Sequence, residues 1–269
     1  MNHSLLRNWL AAPEGRLTWI DFDDYARRVF AGDPQDWFSD ANRYAAALVQ
    51  AQSLLPTKCL GVDLTAPCVP AGLETGAGAV CEALTAADTR QFIDDVFAAL
   101  GHRFQGEIDL IATISAPRDL LGGVQDDFDA LDDVATALGQ RLRELGAASV
   151  AGVVIRFSSG EALSADEGDA CEPLISIARH YDWCVGLEFG GDASAPESAA
   201  DLEHDFLLLP DREFVDLTVF SHSTPIGGGL TQGFWFGHRD QLPEENIAYG
   251  RIGTDATPEQ VLEAVESLG

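Results

Sequence analysis

The chain has 269 residues, of which 46% are hydrophobic, enough to build one large α/β domain with its own core. Sixteen Lys and Arg stand against 44 Asp and Glu, a formal charge of −28, and no basic patch exists to neutralise phosphates, which excludes nucleic acid and anionic membranes as expected partners. No apolar run approaches the roughly 20 residues of a membrane span, and Met1-Asn2-His3-Ser4 carries no basic or apolar leader, so a cytoplasmic location is expected.

Mean hydropathy near zero argues for a folded rather than a disordered acidic chain. The acids are spread along the sequence, and Lys58 is the only lysine. A halophilic surface accounts for this pattern, because dense carboxylates keep a protein solvated once salt screens their repulsion. An ordinary acidic surface is the simpler alternative. The five cysteines, Cys59, Cys68, Cys81, Cys171 and Cys184, form no C-x-x-C pair. They read as reduced, mostly buried thiols.

Along the chain, Leu17-Thr18-Trp19-Ile20 is a candidate first strand, and 36–55 reads as a helix with Trp37, Tyr44, Leu48 and Leu54. An apolar segment then ends on Asp63, ahead of a Pro/Gly-rich loop. Thr85-Ala86-Ala87-Asp88 has the form of a helix N-cap, opening a helix with Phe92, Val96 and Leu100 on one face. A strand over 108–114 leads to Ser115-Ala116-Pro117-Arg118. A helix over 127–145 precedes a strand over 150–157 that carries Arg156 near its end. A helix over 169–181 precedes a strand over 183–189, which contains Glu188 and opens into Gly190-Gly191-Asp192. Further strands are expected over 214–220, ending at Ser221-His222-Ser223, and over 233–237, before His238-Arg239. The Gly227-Gly228-Gly229 run between them reads as a loop with the freedom of a lid. A last strand over 247–252 leads through Thr257-Pro258 to a closing helix over 258–268.

Strands alternating with helices, each strand ending on a polar residue, predict an α/β fold of the (β/α)8 TIM-barrel type, one domain over residues 1–269. An open doubly wound sheet is the rival, but it usually announces itself with a Gly-rich phosphate turn, and no GxGxxG or GxxxxGK[ST] is present. In a barrel the functional groups come from the C-terminal ends of the strands. That places Asp63, Ser115, Arg118, Arg156, Glu188, His222, His238 and Arg239 on the functional rim. Asp63 is a charge-stabilising acid, with a loop-ordering role as the plainer reading. Glu188 is an acid/base candidate, a ligand for a hard metal together with Asp63, or a partner of Arg156. His222, flanked by hydroxyls, is a candidate proton shuttle. Arg118 and Arg156 are candidate clamps for a carboxylate or phosphate, and Ser115, His238 and Arg239 complete the substrate-binding set.

The order of these motifs resembles the uroporphyrinogen decarboxylase superfamily, which also contains zinc methyltransferases acting on corrinoids and thiols. The resemblance rests on Gly61-Val62-Asp63-Leu64-Thr65 with Gly72-Leu73-Glu74, on Ser115-Ala116-Pro117, on Leu145-Gly146-Ala147 before the strand at 150–157, on Leu187-Glu188-Phe189-Gly190-Gly191-Asp192, and on the closing Thr257-Pro258-Glu259-Gln260-Val261. It implies a decarboxylase (lyase) or methyltransferase acting on a tetrapyrrole, a corrinoid-related molecule, or a small methylated or carboxylated substrate. Asp63 would face pyrrole N–H groups. The zinc methyltransferases carry His-x-Cys where this chain has Glu188 and Gly190, and their late Cys has no counterpart after Cys184. No tightly bound cofactor or zinc is therefore expected, a corrinoid stands as substrate or partner, and a homodimer is a candidate assembly. A non-catalytic ligand binder of the same fold is the alternative.

Overall fold

The alternating apolar segments become eight strands in a computed structural model that describes residues 4–32, 35–68, 76–122, 127–158, 163–191, 201–217, 224–238, 242 and 246–268. The strands are β1 (Leu17–Asp21), β2 (Cys59–Asp63), β3 (Asp109–Ser115), β4 (Val150–Phe157), β5 (Cys184–Phe189), β6 (Phe206–Leu209), β7 (Ile226–Gly229) and β8 (Ile247–Arg251). The helices are α1 (Leu5–Ala11), α2 (Asp23–Phe30), α3 (Ala41–Gln52), α4 (Ala77–Thr85), α5 (Ala87–Phe104), α6 (Pro117–Leu120), α7 (Phe128–Glu144), α8 (Ala165–His180), α9 (Phe214–Leu217), α10 (Gln232–Trp235) and α11 (Pro258–Glu266).

The sheet runs β1-β8-β7-β6-β5-β4-β3-β2, parallel and with helices between the strands: a nearly closed (β/α)8 barrel, as the alternation predicts. Where the two ends of this order approach, the Lys58 N–H donates to the Thr18 carbonyl at 2.8 Å. Strands buried on both faces explain why the segments read as continuous apolar runs rather than alternating ones; every residue of β5 and β6 is buried.

The chain divides into two compact units. One comprises residues 1–60, 95–109 and 208–269. Here α1 is anchored by Asp109, a buried carboxylate that accepts from the Ser4 hydroxyl at 2.8 Å and the Leu6 N–H at 2.7 Å. The other comprises 61–94 and 110–207. Its helices α4 and α7 are joined by Arg141, a buried guanidinium whose Nε donates to the Leu84 carbonyl at 3.0 Å at the end of α4.

Four local expectations fail for identifiable reasons. Thr85 caps no following helix: it ends α4, and its hydroxyl donates back to the Cys81 carbonyl at 2.7 Å. The described part of 214–220 is helical (α9), and the strand of that unit is the short run Phe206–Leu209. The Gly227-Gly228-Gly229 segment is not a loop but β7, where a Cβ on Gly227 would lie 2.7 Å from Leu208 Cδ2 and one on Gly228 2.8 Å from the Leu209 carbonyl. Glycine is what lets β7 approach β6 so closely. The 233–237 stretch contains α10: Phe234 and Trp235 are both buried while Phe236 is 41% exposed. The backbone there closes on itself, the Phe234 N–H donating to the Thr231 carbonyl and the Phe236 N–H to that of Gly233, both at 3.1 Å.

Candidate functional site

Strand register brings the predicted groups of the second unit to one level. Ser115 of β3 is the register partner of Arg156 in β4, and Arg156 that of Glu188 in β5. Register partners on adjacent parallel strands share a face, so the three side chains stand in a row near the C-terminal strand ends. Asp63 closes the row from the last position of β2.

Asp63 is fixed by its own turn. Its Oδ1 accepts from the Thr65 N–H at 2.7 Å, the Thr65 hydroxyl at 2.7 Å and the Ala66 N–H at 2.9 Å, an Asx-turn in which the carboxylate satisfies the donors of the chain leaving β2. The Thr65 hydroxyl also lies 3.1 Å from Ser115 Oγ, tying this turn to β3. Oδ2 lies 3.3 Å from Nη1 of Arg156. Asp63 and Arg156 sit two strands apart, a gap of roughly 10 Å between backbones that the long guanidinium arm can span. The Nε of Arg156 lies 3.2 Å from Oε2 of Glu188, whose side chain is only 1% exposed.

One guanidinium thus stands between two carboxylates, and the trio carries a net charge of −1. Arg156 and Asp63 keep 19% and 22% of their side chains exposed, so the charge meets solvent at their end and is closed off at Glu188. A buried carboxylate survives as an ion only with such a partner. Of the readings open to Glu188, partner of Arg156 is the one the geometry displays. Thr113, two residues before Ser115 on the same face of β3, is buried and its hydroxyl has no hydrogen-bond partner among the described residues.

Arg118 belongs to a neighbouring cluster. It lies on α6, and its Nη1 is 3.4 Å from Oε2 of the buried Glu167. Glu167 also closes the capping box of α8: it accepts from the Ser164 N–H at 2.9 Å while its own N–H donates to the Ser164 hydroxyl. Next to Arg118, Asp119 Oδ2 accepts from the Ser158 N–H at 2.6 Å. Burial pushes the Asp119 carboxyl above the usual carboxylate range, opposed by this hydrogen bond and helped by the nearby Glu167 charge. Thr113 and Asp119 carry no signal in the sequence, whereas Ser164-x-x-Glu167 is a legible capping box. His238 follows α10 as an exposed residue of the other unit. His222, Arg239, Asp192 and the loop at 69–75 lie outside the described residues.

The thiols do not fit the zinc centre of the methyltransferases. Cys184 and Glu188 lie four residues apart on β5, about 13 Å along the strand, too far to share an ion. The Cys68 thiol donates to the Leu64 carbonyl at 3.0 Å and is pushed up to about 12 by burial, whereas zinc takes the thiolate. Among the described residues no three His, Cys, Asp or Glu side chains gather as a metal-holding group.

No family model matches the sequence, and no curated protein matches it either. Among solved structures, the chain is similar to the homocysteine methyltransferase MmuM from Escherichia coli, with a TM-score of 0.53 and 11% identity over 99% of this chain and 98% of that one. It is also similar to a dihydrodipicolinate synthase from Agrobacterium tumefaciens, with a TM-score of 0.51 and 12% identity over 96% of this chain and 77% of that one. At these identities the likeness is one of fold, and the chain is a (β/α)8 barrel related in architecture to both.

Proposed function

We propose that this protein is a uroporphyrinogen decarboxylase-like barrel enzyme, a decarboxylase or methyltransferase acting on a tetrapyrrole- or corrinoid-related molecule or on a small methylated or carboxylated one. The observation that carries the reading is the arrangement of Asp63. It stands at a strand end, on the side of the barrel where enzymes of this fold assemble their chemistry. Three hydrogen bonds orient it, and it belongs to a trio with an excess negative charge. The fold-level likeness to a homocysteine methyltransferase supports the same superfamily.

In this reading Asp63 receives the N–H-bearing or positively charged part of the substrate. Protonation of a pyrrole ring ahead of decarboxylation, and a methyl group carried on nitrogen or sulfur, both place positive charge there. A carboxylate already held in place stabilises that charge with little reorganisation. Arg156, shared between two acids, holds Asp63 and Glu188 rather than clamping a substrate anion. Ser115 and Thr113 offer hydroxyls along the same face of β3. Proton transfer falls to Asp63 itself or to His222.

A second reading, a ligand binder without turnover, is favoured by the state of Glu188, which is buried and committed to Arg156 and so poorly placed to exchange protons with solvent. Titration of the tryptophan fluorescence with coproporphyrin, uroporphyrin and hydroxocobalamin in molar salt, followed by assays for released carbon dioxide and transferred methyl groups, separates the two. Saturable quenching with product formation supports the enzyme. Saturable quenching without product supports the binder. Absence of saturable binding removes the tetrapyrrole branch and leaves the small substrates.

A further inference from the structure

The last residues of β4 are held from one side by the short segment that follows β3. The Ala116 N–H donates to the Arg156 carbonyl at 2.8 Å. Three residues on, Asp119 Oδ2 accepts from the Ser158 N–H at 2.6 Å. Between them Arg118 reaches Glu167 at the start of α8. Two contacts, one from Ala116 at the N-cap of α6 and one from Asp119 within it, therefore grip the strand end that carries Arg156, while Arg118 ties α6 to α8. On the other side the Gly190 N–H donates to the Phe157 carbonyl at 2.9 Å.

Asp119 is held in this place at a cost. Burial disfavours its charged form, and Glu167 adds a like charge nearby. Its Oδ2 nonetheless meets a backbone N–H at the short distance of a charge-assisted hydrogen bond. An acid kept partly buried beside another acid, with its oxygen on a main-chain donor, is placed to fix the chain there.

We infer that Asp119 is a positioning residue, latching the end of β4 through the Ser158 N–H so that the Arg156 guanidinium stays seated between Asp63 and Glu188. The consequence for function rests on the role proposed above for that trio; the latch itself does not. Without it, the end of β4 loosens and the bond from Arg156 Nε to Glu188 opens more often.

The test reads the arginine Nε–H groups by nitrogen-15 NMR, with no ligand present. The Arg156 signal is identified by its absence in Arg156→Lys. The Arg141 Nε–H, bound to the Leu84 carbonyl in the same unit, reports on the fold at large. Asp119→Ala is expected to speed hydrogen exchange at Arg156 Nε about tenfold while Arg141 is unchanged, the mark of a local opening. Asp119→Asn, which keeps an acceptor for Ser158, is expected to stay close to the parent protein. If Asp119→Ala does not fold, Asp119→Glu, with its carboxylate moved out by one methylene, carries the same expectation. Unchanged exchange at Arg156 in a folded variant, equal acceleration at Arg141, or an Asn variant as fast as the Ala variant would each overturn the inference. Failure of every porphyrin and corrinoid probe to bind would count against the proposed function and leave this result standing.

Discussion

Arg156 Nη1 lies 3.3 Å from Asp63 Oδ2 although a whole strand separates the two residues in the sheet. The reach of the guanidinium converts two strand-end positions into one charged site, and its Nε ties in Glu188 as well. Removing the cation exposes what it compensates. Arg156→Met removes the cation that pairs with the buried Glu188 and is expected to cost about 3 kcal/mol in urea unfolding. Adding Glu188→Gln is expected to recover a good part of that loss. Two losses that simply add would mean the pair is not coupled.

Folding is expected to strengthen with salt. The chain carries −28 formal charges, and helices such as α7 place Asp129, Asp132 and Asp133 along one turn, like-charge neighbours that destabilise a helix. Raising potassium chloride from about 0.1 M to 1 M shortens the screening length from about 10 Å to about 3 Å. Thermal unfolding followed by circular dichroism should show a Tm that climbs across this range. A flat or falling Tm would leave the acidity as an ordinary surface.

Asp119 sets a pH dependence of defined sign. Burial raises its pKa in the folded protein, so the native state binds this proton more tightly than the unfolded chain. Its contribution to stability is full below the ordinary carboxylate value and is lost as pH rises through the higher folded value. Asp119→Asn removes this loss. The stability of the Asn variant relative to the parent is therefore expected to increase from about pH 4 to pH 7, measured by denaturant unfolding at each pH. A difference that shrinks over that range would contradict the assigned shift.

The cysteines should differ in reactivity. Cys81 is half-exposed, whereas Cys59, Cys68, Cys171 and Cys184 are buried, and burial drives Cys68 and Cys171 up to about 12. Iodoacetamide at pH 8 followed by mass spectrometry is expected to label Cys81 first and the other four only on unfolding. Early labelling of Cys68 would mean that the turn after Asp63 opens.

The parts of the barrel legible in the sequence are those where burial alone writes the pattern. The runs at β3, β4 and β5 are long, apolar and bounded by turn residues, so Ser115, Arg156 and Glu188 fall at strand ends by inspection. Where four residues suffice for a strand, the signal fails: Phe206–Leu209 is too short to show a period, and Ile226–Gly229 hides as a loop because Gly227 and Gly228 serve close strand approach and Gly229 a positive φ, rather than flexibility. In the site, Asp63 was readable as a strand-end acid. Its bond to Arg156 was not, because no spacing along the chain encodes a contact across an intervening strand. Arg118, expected to clamp an anion, meets Glu167 of α8, and Asp119 beside it carries no motif at all; these contacts exist only once α6 is packed against α8 and against the end of β4.

The most direct measurement of the central claim is the affinity of coproporphyrin and hydroxocobalamin for Asp63→Asn beside the parent protein, by fluorescence titration in molar salt, with circular dichroism confirming the fold. Asn keeps an oxygen for the turn donors and loses the charge. The expected result is a folded variant whose affinity drops by about tenfold or more, the scale of one charge-assisted contact, with turnover lost. Equal affinity and activity in the two proteins would contradict it.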